Sequence, residues 1–209
     1  MTPRQRIDRC RVIAIVRSPR LTPDVAVAVV DRLATAGLDV IEFTLNSADA
    51  LRAIEAASRR FDGQAAIGAG TVRTADDVRR VADAGAQFAV SPDTAPEVIR
   101  ATVSAGLLSA PGAFTPTDIA IAQRHGADVV KLFPAMPAGP THLRCLRGPF
   151  DDVAFVPTGG IGLDDIGPFL TAGAAAVGLG SVLVDGHDPL HDLDERAQAV
   201  AETVAGATA

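Results

Sequence analysis

Eight short apolar segments alternate with amphipathic helical segments from one end of this chain to the other, and that alternation restricts the fold more than any single residue does. Strands are predicted at residues 12–17, 40–46, 65–72, 87–93, 107–114, 128–134, 153–161 and 175–182. The stretches between them begin at cap-like residues: Thr22-Pro23-Asp24, Ser47, Thr74, Thr94, Thr115-Pro116-Thr117 and Gly162-Leu163-Asp164. Such side chains satisfy the free N–H groups of a first helical turn. Several stop at a glycine suited to a left-handed terminal residue: Gly37, Gly85, Gly106, Gly126 and Gly173. Strand and helix in strict alternation read as an α/β fold with a parallel sheet. Eight units without a linker or a composition break, preceded by a short N-terminal helix, predict a single (β/α)8 TIM barrel over residues 1–209. The length of 209 residues is slightly short for eight full units. An open doubly wound sheet fits less well, because no strand runs into a G-x-G-x-x-G turn with an acidic residue at the right distance.

A barrel of this kind places its chemistry at the C-terminal ends of the strands, and the polar residues gather there. The first strand ends in Arg17. The second carries Glu42, Thr44 and Asn46, and the third ends Gly68-Ala69-Gly70-Thr71. The sixth holds Lys131. The seventh ends Pro157-Thr158-Gly159-Gly160 and the eighth Gly178-Leu179-Gly180-Ser181. Side chains alternate along a strand, so Glu42, Thr44 and Asn46 share one face, and Val129, Lys131 and Phe133 share another.

Lys131 stands out twice. It lies in the apolar run Asp128-Val129-Val130-Lys131-Leu132-Phe133-Pro134, and it is the only lysine in a chain with 19 Lys+Arg. Burying an ammonium is costly, and a desolvated lysine loses its proton more readily and becomes an amine nucleophile. Arginine cannot do this. A Schiff-base role is favoured over that of an ion-paired structural lysine. Glu42, set in an apolar strand, is expected to have a raised pKa suited to proton transfer near neutrality; an ion pair with Arg17 or Lys131 is compatible with that role. Arg17 has two readings, a bidentate contact to a carboxylate or phosphate and neutralisation of Glu42. Thr71 has two as well, a hydroxyl for a substrate carboxylate and a hydroxyl bonded to its own backbone. The small residues before it leave room for a ligand. The paired glycine loops after strands seven and eight suit a phosphate held by backbone N–H groups.

Other chemistries are excluded or disfavoured. The net charge of −6 and the absence of Tyr and Trp argue against nucleic-acid binding. No apolar run reaches membrane-spanning length and the N-terminus lacks a signal-like apolar core, so a cytoplasmic protein is expected. His125, His142, His187 and His191 share no strand end with the acidic residues, so no metal site is expected. Cys10 and Cys145 form no motif, and Cys145 is expected to be a buried thiol. Arg59-Arg60 and Arg79-Arg80 read as solvated helix faces.

Together, Val40-Ile41-Glu42, Gly68-Ala69-Gly70-Thr71-Val72, Lys131-Leu132-Phe133-Pro134 and Pro157-Thr158-Gly159-Gly160-Ile161 resemble the class I 2-keto-3-deoxy-6-phosphogluconate aldolase family, which includes 4-hydroxy-2-oxoglutarate and 2-keto-3-deoxy-6-phosphogalactonate aldolases. The resemblance runs from about Arg11 to Val184. It implies a homotrimeric barrel that needs no metal or other cofactor. It puts the Schiff-base lysine at Lys131, the catalytic glutamate at Glu42, the carboxylate-binding threonine at Thr71 and the phosphate loops at Gly159-Gly160 and Gly180-Ser181. Phosphogluconate aldolases usually carry Thr-Leu-Arg-Thr where this chain has Thr44-Leu45-Asn46-Ser47. That form resembles the phosphogalactonate branch, whereas Pro157-Thr158-Gly159-Gly160 is more typical of the phosphogluconate branch. Asn46 is weighted more, as the residue expected to face the carbons at which the epimers differ. The expected substrate is therefore a phosphorylated keto-deoxy sugar acid, 2-keto-3-deoxy-6-phosphogalactonate first, with the phosphogluconate epimer and 4-hydroxy-2-oxoglutarate as alternatives. A metal-dependent or isomerase-type phosphate barrel and a non-catalytic binding barrel are the rivals from other classes.

Overall fold

The computed structural model describes residues 1–136 and 138–208. Its strands are β1 (Val12–Val16), β2 (Val40–Thr44), β3 (Ala66–Gly70), β4 (Phe88–Val90), β5 (Leu108–Ala110), β6 (Gly112–Ala113), β7 (Val130–Leu132), β8 (Phe155–Pro157) and β9 (Val177–Leu179). Its helices are α1 (Pro3–Cys10), α2 (Pro23–Thr35), α3 (Ala50–Arg60), α4 (Ala75–Asp83), α5 (Pro96–Ser104), α6 (Pro116–Arg124), α7 (Gly139–Arg147), α8 (Leu163–Thr171) and α9 (Leu193–Thr208). All strand pairs are parallel. One sheet runs β5-β4-β3-β2-β1-β9 and a second β6-β7-β8.

The two sheets make one barrel. β5 and β6 are the halves of a single expected strand, parted at Pro111, which has no N–H to give to a ladder. Its carbonyl still accepts from the Lys131 N–H at 2.9 Å, which carries the pairing across the break. On the other side, Thr158 bridges Gly178, and Ala175 N–H donates to Phe155 O at 2.8 Å. The expected (β/α)8 architecture with a leading helix is the one observed. Each strand stops short of its predicted end, where the chain passes into the loops of the mouth. The clearest case is β2: Ser47 N–H donates to Thr44 O at 2.9 Å, so the chain turns at once, and Asn46 lies in an exposed turn rather than on the strand face shared by Glu42 and Thr44.

Most caps fall where the sequence places them. Thr22, Thr74 and Thr115 accept the expected N–H groups, Gly162 is the N-cap of α8, and the five terminal glycines have positive φ. Two do not. Ser47 accepts from Ser18 N–H, and Thr94 donates to Gly112 O, so both tie loops together and α3 and α5 start later. Cys145 also departs from expectation. Leu143 and Leu146 form the buried side of α7, and Cys145, on the opposite side, is exposed; Cys10 is the buried thiol. Arg59 and Arg79 are solvated, as expected.

Helix α1 closes one end of the barrel. Arg4 donates to Asp128 O, Arg6 to Gly63 O and Gln64 O, and Arg11, just beyond the helix, to Ala174 O. These carbonyls precede β7, β3 and β9. Arg6 and Arg9 both pair with Asp39, which precedes β2 and is buried together with Arg6. The N-terminal end is thereby sealed, and the C-terminal end is left open.

Candidate active site

A cavity of about 630 Å³ opens at the C-terminal end, lined by Ile15, Arg17, Lys131, Phe133, Thr158, Gly159, Gly160, Gly180 and Ser181 among others. Residues from β1, β7, β8 and β9 or the loops after them thus meet in one space, although they are more than 160 positions apart in the chain. Lys131 projects from the middle of β7, where neighbouring strands pair with it on both sides at Gly112 and Val156. It is 8% exposed, and its Nζ lies 4.8 Å from the centroid of the Phe133 ring. Among the described residues the amine has no ion pair and no hydrogen bond, so only the Phe133 ring contact accompanies it at the cavity wall.

Glu42 lies level with Ile15 on one side and Gly68 on the other. It is 2% exposed. Burial pushes its carboxyl above the ordinary glutamate range, while the charges of Lys131 and Arg17 pull it back. The direction agrees with that expected from the sequence, and Lys131 and Arg17 both lie within electrostatic reach of Glu42. The alternative of an ion pair with Arg17 or Lys131 is not realised: among the described residues Glu42 has no salt bridge and no hydrogen bond. It is recessed below the cavity wall rather than part of it.

The loop after β8 carries two consecutive positive-φ glycines, Gly159 (φ 99°) and Gly160 (φ 80°), a turn that β-carbons would strain. It is tied to the loop after β7, since Ala135 N–H donates to Thr158 O and Met136 N–H to Gly159 O. Among the described residues the N–H groups of Gly160, Ile161, Gly180, Ser181 and Val182 meet no acceptor. Unpaired backbone donors gathered along a cavity wall form an anion-binding concavity. Thr158 is buried, donates to Val156 O and packs into the space that Gly178 leaves free.

Two further expected site residues are, like Glu42, not among those lining this cavity. Asn46 is exposed in the turn after β2 and does not line the cavity. Thr71 does not line it either; it sits just past β3, half-buried, at φ 59°. A β-branched residue rarely adopts that conformation, and such strain collects at functional sites. Its hydroxyl bonds nothing among the described residues, so the own-backbone reading does not apply. The small residues of β3 were expected to make room for a ligand. They make room for protein: the Phe88 ring fills the space of a Gly68 side chain, and the Glu42 carboxyl fills that of Gly70. The apolar wall formed by Ile15, Val182 and Val184 was not foreseen. Ile15 was legible in principle, being two residues before Arg17 on the same face.

Comparison with known proteins agrees with this geometry. The family model for KDPG and KHG aldolase matches residues 4–197. The chain is 37% identical over 187 residues to a probable 2-dehydro-3-deoxy-6-phosphogalactonate aldolase of Rhizobium meliloti, covering 89% of this chain and 87% of the relative. A solved structure described as native KDPGal superposes with a TM-score of 0.90 at 33% identity, covering 94% and 95% of the two chains. KDPG aldolase from Legionella pneumophila, solved with pyruvate captured as a covalent carbinolamine, superposes at 0.82 with 28% identity, covering 99% and 98%. A barrel whose lone lysine faces a cavity beside a recessed acid, matched along almost its whole length, belongs to the KDPG and KHG aldolase family and is a carbon–carbon lyase.

Proposed function

We propose that this enzyme is a Schiff-base aldolase that cleaves 2-keto-3-deoxy-6-phosphogalactonate to pyruvate and glyceraldehyde 3-phosphate. The observation that carries the reading is the amine of Lys131 at the cavity wall, without an ion pair or hydrogen bond among the described residues and within electrostatic reach of Glu42. The amine attacks the C2 ketone to give a carbinolamine, and loss of water leaves an iminium that accepts electrons. Glu42, through a water because it is recessed, takes the proton of the C4 hydroxyl. The C3–C4 bond then breaks, its electron pair passing into the iminium as an enamine and the aldehyde departing. The same acid returns the proton to C3, and hydrolysis frees pyruvate and the lysine. Protons and electrons balance without a redox cofactor or a metal.

Arg17 and Thr71 are assigned to the substrate carboxylate, and Phe133 and Thr158 to the wall along the carbon chain. The amides of Gly159, Gly160, Gly180 and Ser181 are assigned to the phosphate. Asn46 is assigned to the hydroxyl that distinguishes the epimers, an assignment that rests on the Thr44-Leu45-Asn46-Ser47 motif, since its turn is exposed. The Pro157-Thr158-Gly159-Gly160 motif supports the second reading, the same chemistry on 2-keto-3-deoxy-6-phosphogluconate. The whole chain is taken as one catalytic domain, working in the cytoplasm as a homotrimer; the family resemblance supports both.

Mass spectrometry after pyruvate and borohydride tests the chemistry. With one lysine in the chain, a reduced adduct mapped to Lys131 is expected, and a folded protein without it removes the covalent mechanism. Turnover of the two epimeric phosphates side by side then decides the substrate.

A further inference from the structure

Glu42 is a buried carboxyl on a flexible side chain, and among the described residues no hydrogen bond or ion pair holds it. Something other than polar contacts must set where it points. An ideal Cβ on Gly70 would lie 2.8 Å from the Glu42 Cγ, 2.5 Å from its Cδ, and closer still to Oε1. The end of the acid therefore occupies the volume that any other residue at position 70 would fill. One step lower on the same face of β3, a Cβ on Gly68 would meet Cδ1 of the Phe88 ring at 2.5 Å, with other ring atoms nearer. Glu42 is in register with Gly68, not with Gly70. Because Phe88 has taken the lower vacancy, the carboxyl is directed to the upper one, toward the mouth. The β3 backbone cannot step aside, since it is paired with β2 over five residues and Gly70 O accepts from Leu45 N–H at 2.8 Å.

We infer that Gly70 is a positioning residue for Glu42, and that the missing side chain of Gly70, with the Phe88 ring below it, sets the distance from the acid to Lys131 and Arg17. This rests on the proposed role of Glu42 as the proton carrier. In a Gly70→Ala variant the Glu42 Cδ must withdraw by about 1 Å to reach the 3.4 Å of ordinary contact, and a displacement of ~1 Å at a reacting group costs on the order of 10²-fold.

The test compares Gly70→Ala, Gly68→Ala, Glu42→Asp and the Gly70→Ala/Glu42→Asp double variant. Three readouts are used: kcat and KM against pH, NMR titration of the Glu42 carboxyl with carbon-labelled glutamate, and the Lys131 adduct. Gly70→Ala is expected to lower kcat by about 10²-fold with little change in KM, to move the titration of the carboxyl, and to keep the adduct. Gly68→Ala is expected to lower stability through Phe88 while leaving the pH profile in place. Aspartate, one methylene shorter, removes the two deepest overlaps with a Cβ at position 70 and leaves only the one at the Cγ position, 2.8 Å away, so adding Gly70→Ala to Glu42→Asp is expected to cost clearly less than it costs the unaltered enzyme. If Gly70→Ala does not fold, the double variant must fold. An unmoved titration in Gly70→Ala, an equal loss in both backgrounds, or a double variant that still fails to fold would overturn the inference. A missing adduct in the unaltered enzyme would instead overturn the Schiff-base reading, and the carboxyl titration would still decide the role of Gly70.

Discussion

Gly180→Ala separates the phosphate from the rest of the substrate. An ideal Cβ on Gly180 meets nothing within 4 Å, and the residue does not have a left-handed φ. The methyl therefore adds no strain, and a stability change within about 0.5 kcal/mol, or roughly 2 °C in Tm, is expected. Gly180 lines the cavity, however, and among the described residues the N–H groups of Gly180, Ser181 and Val182 meet no acceptor. An anion that now has to stand off from one of them loses a charge-assisted hydrogen bond of about 1.5–3 kcal/mol. At about 1.4 kcal/mol per factor of ten, kcat/KM for the phosphorylated substrate is expected to fall roughly 10- to 150-fold. The loss should sit in KM, because the phosphate is remote from the bond that breaks and is held alike in ground and transition states. A coupled assay of pyruvate release, run in parallel with unphosphorylated 4-hydroxy-2-oxoglutarate, reads the difference; the second substrate should change by no more than about twofold. An equal loss for both substrates, or no loss for the phosphorylated one, would refute the assignment of this loop.

Lys131→Arg keeps a cation in the same strand but removes the nucleophile, so the fold is expected to survive while turnover and the borohydride adduct vanish; appreciable residual cleavage would sink the covalent mechanism. Burial raises the Glu42 pKa, so ionised Glu42 disfavours the folded state. The contribution is fully favourable below the unfolded-state pKa and is lost as pH climbs through the folded-state value. The Tm advantage of Glu42→Gln should therefore grow from about pH 4.5 upward and then level off, and a flat difference across a pH series of melts would contradict it. Asp39→Asn breaks the buried pairing with Arg6 and Arg9 beneath the barrel. A cost of about 3–5 kcal/mol is expected, lowering Tm by roughly 6–20 °C with activity per folded molecule unchanged; calorimetry showing a loss under about 1 kcal/mol would be inconsistent with a structural pair.

Much of this enzyme was legible before folding. The period of the apolar pattern and the glycine stops specify eight strand–helix units, because those signals act within one or two turns of chain. Lys131 and Glu42 were legible because charge inside an apolar strand contradicts its surroundings. The glycine pairs at 159–160 and 178–180 marked turns where backbone amides come free. Asn46 was misplaced because side-chain alternation holds only while the strand lasts, and where β2 ends is decided by a turn that Ser47 and Ser18 stabilise across 29 residues. The seal of arginines under the barrel, the strained Thr71 and the exposure of Cys145 likewise depend on which elements meet. Gly68 and Gly70 show the division most directly. Sequence marks them as small, and small reads as room. Only the register of β3 against β2 and β4 decides that the room is taken by Phe88 and by the acid itself, since occupancy of a volume is a property of neighbours that lie far apart along the chain.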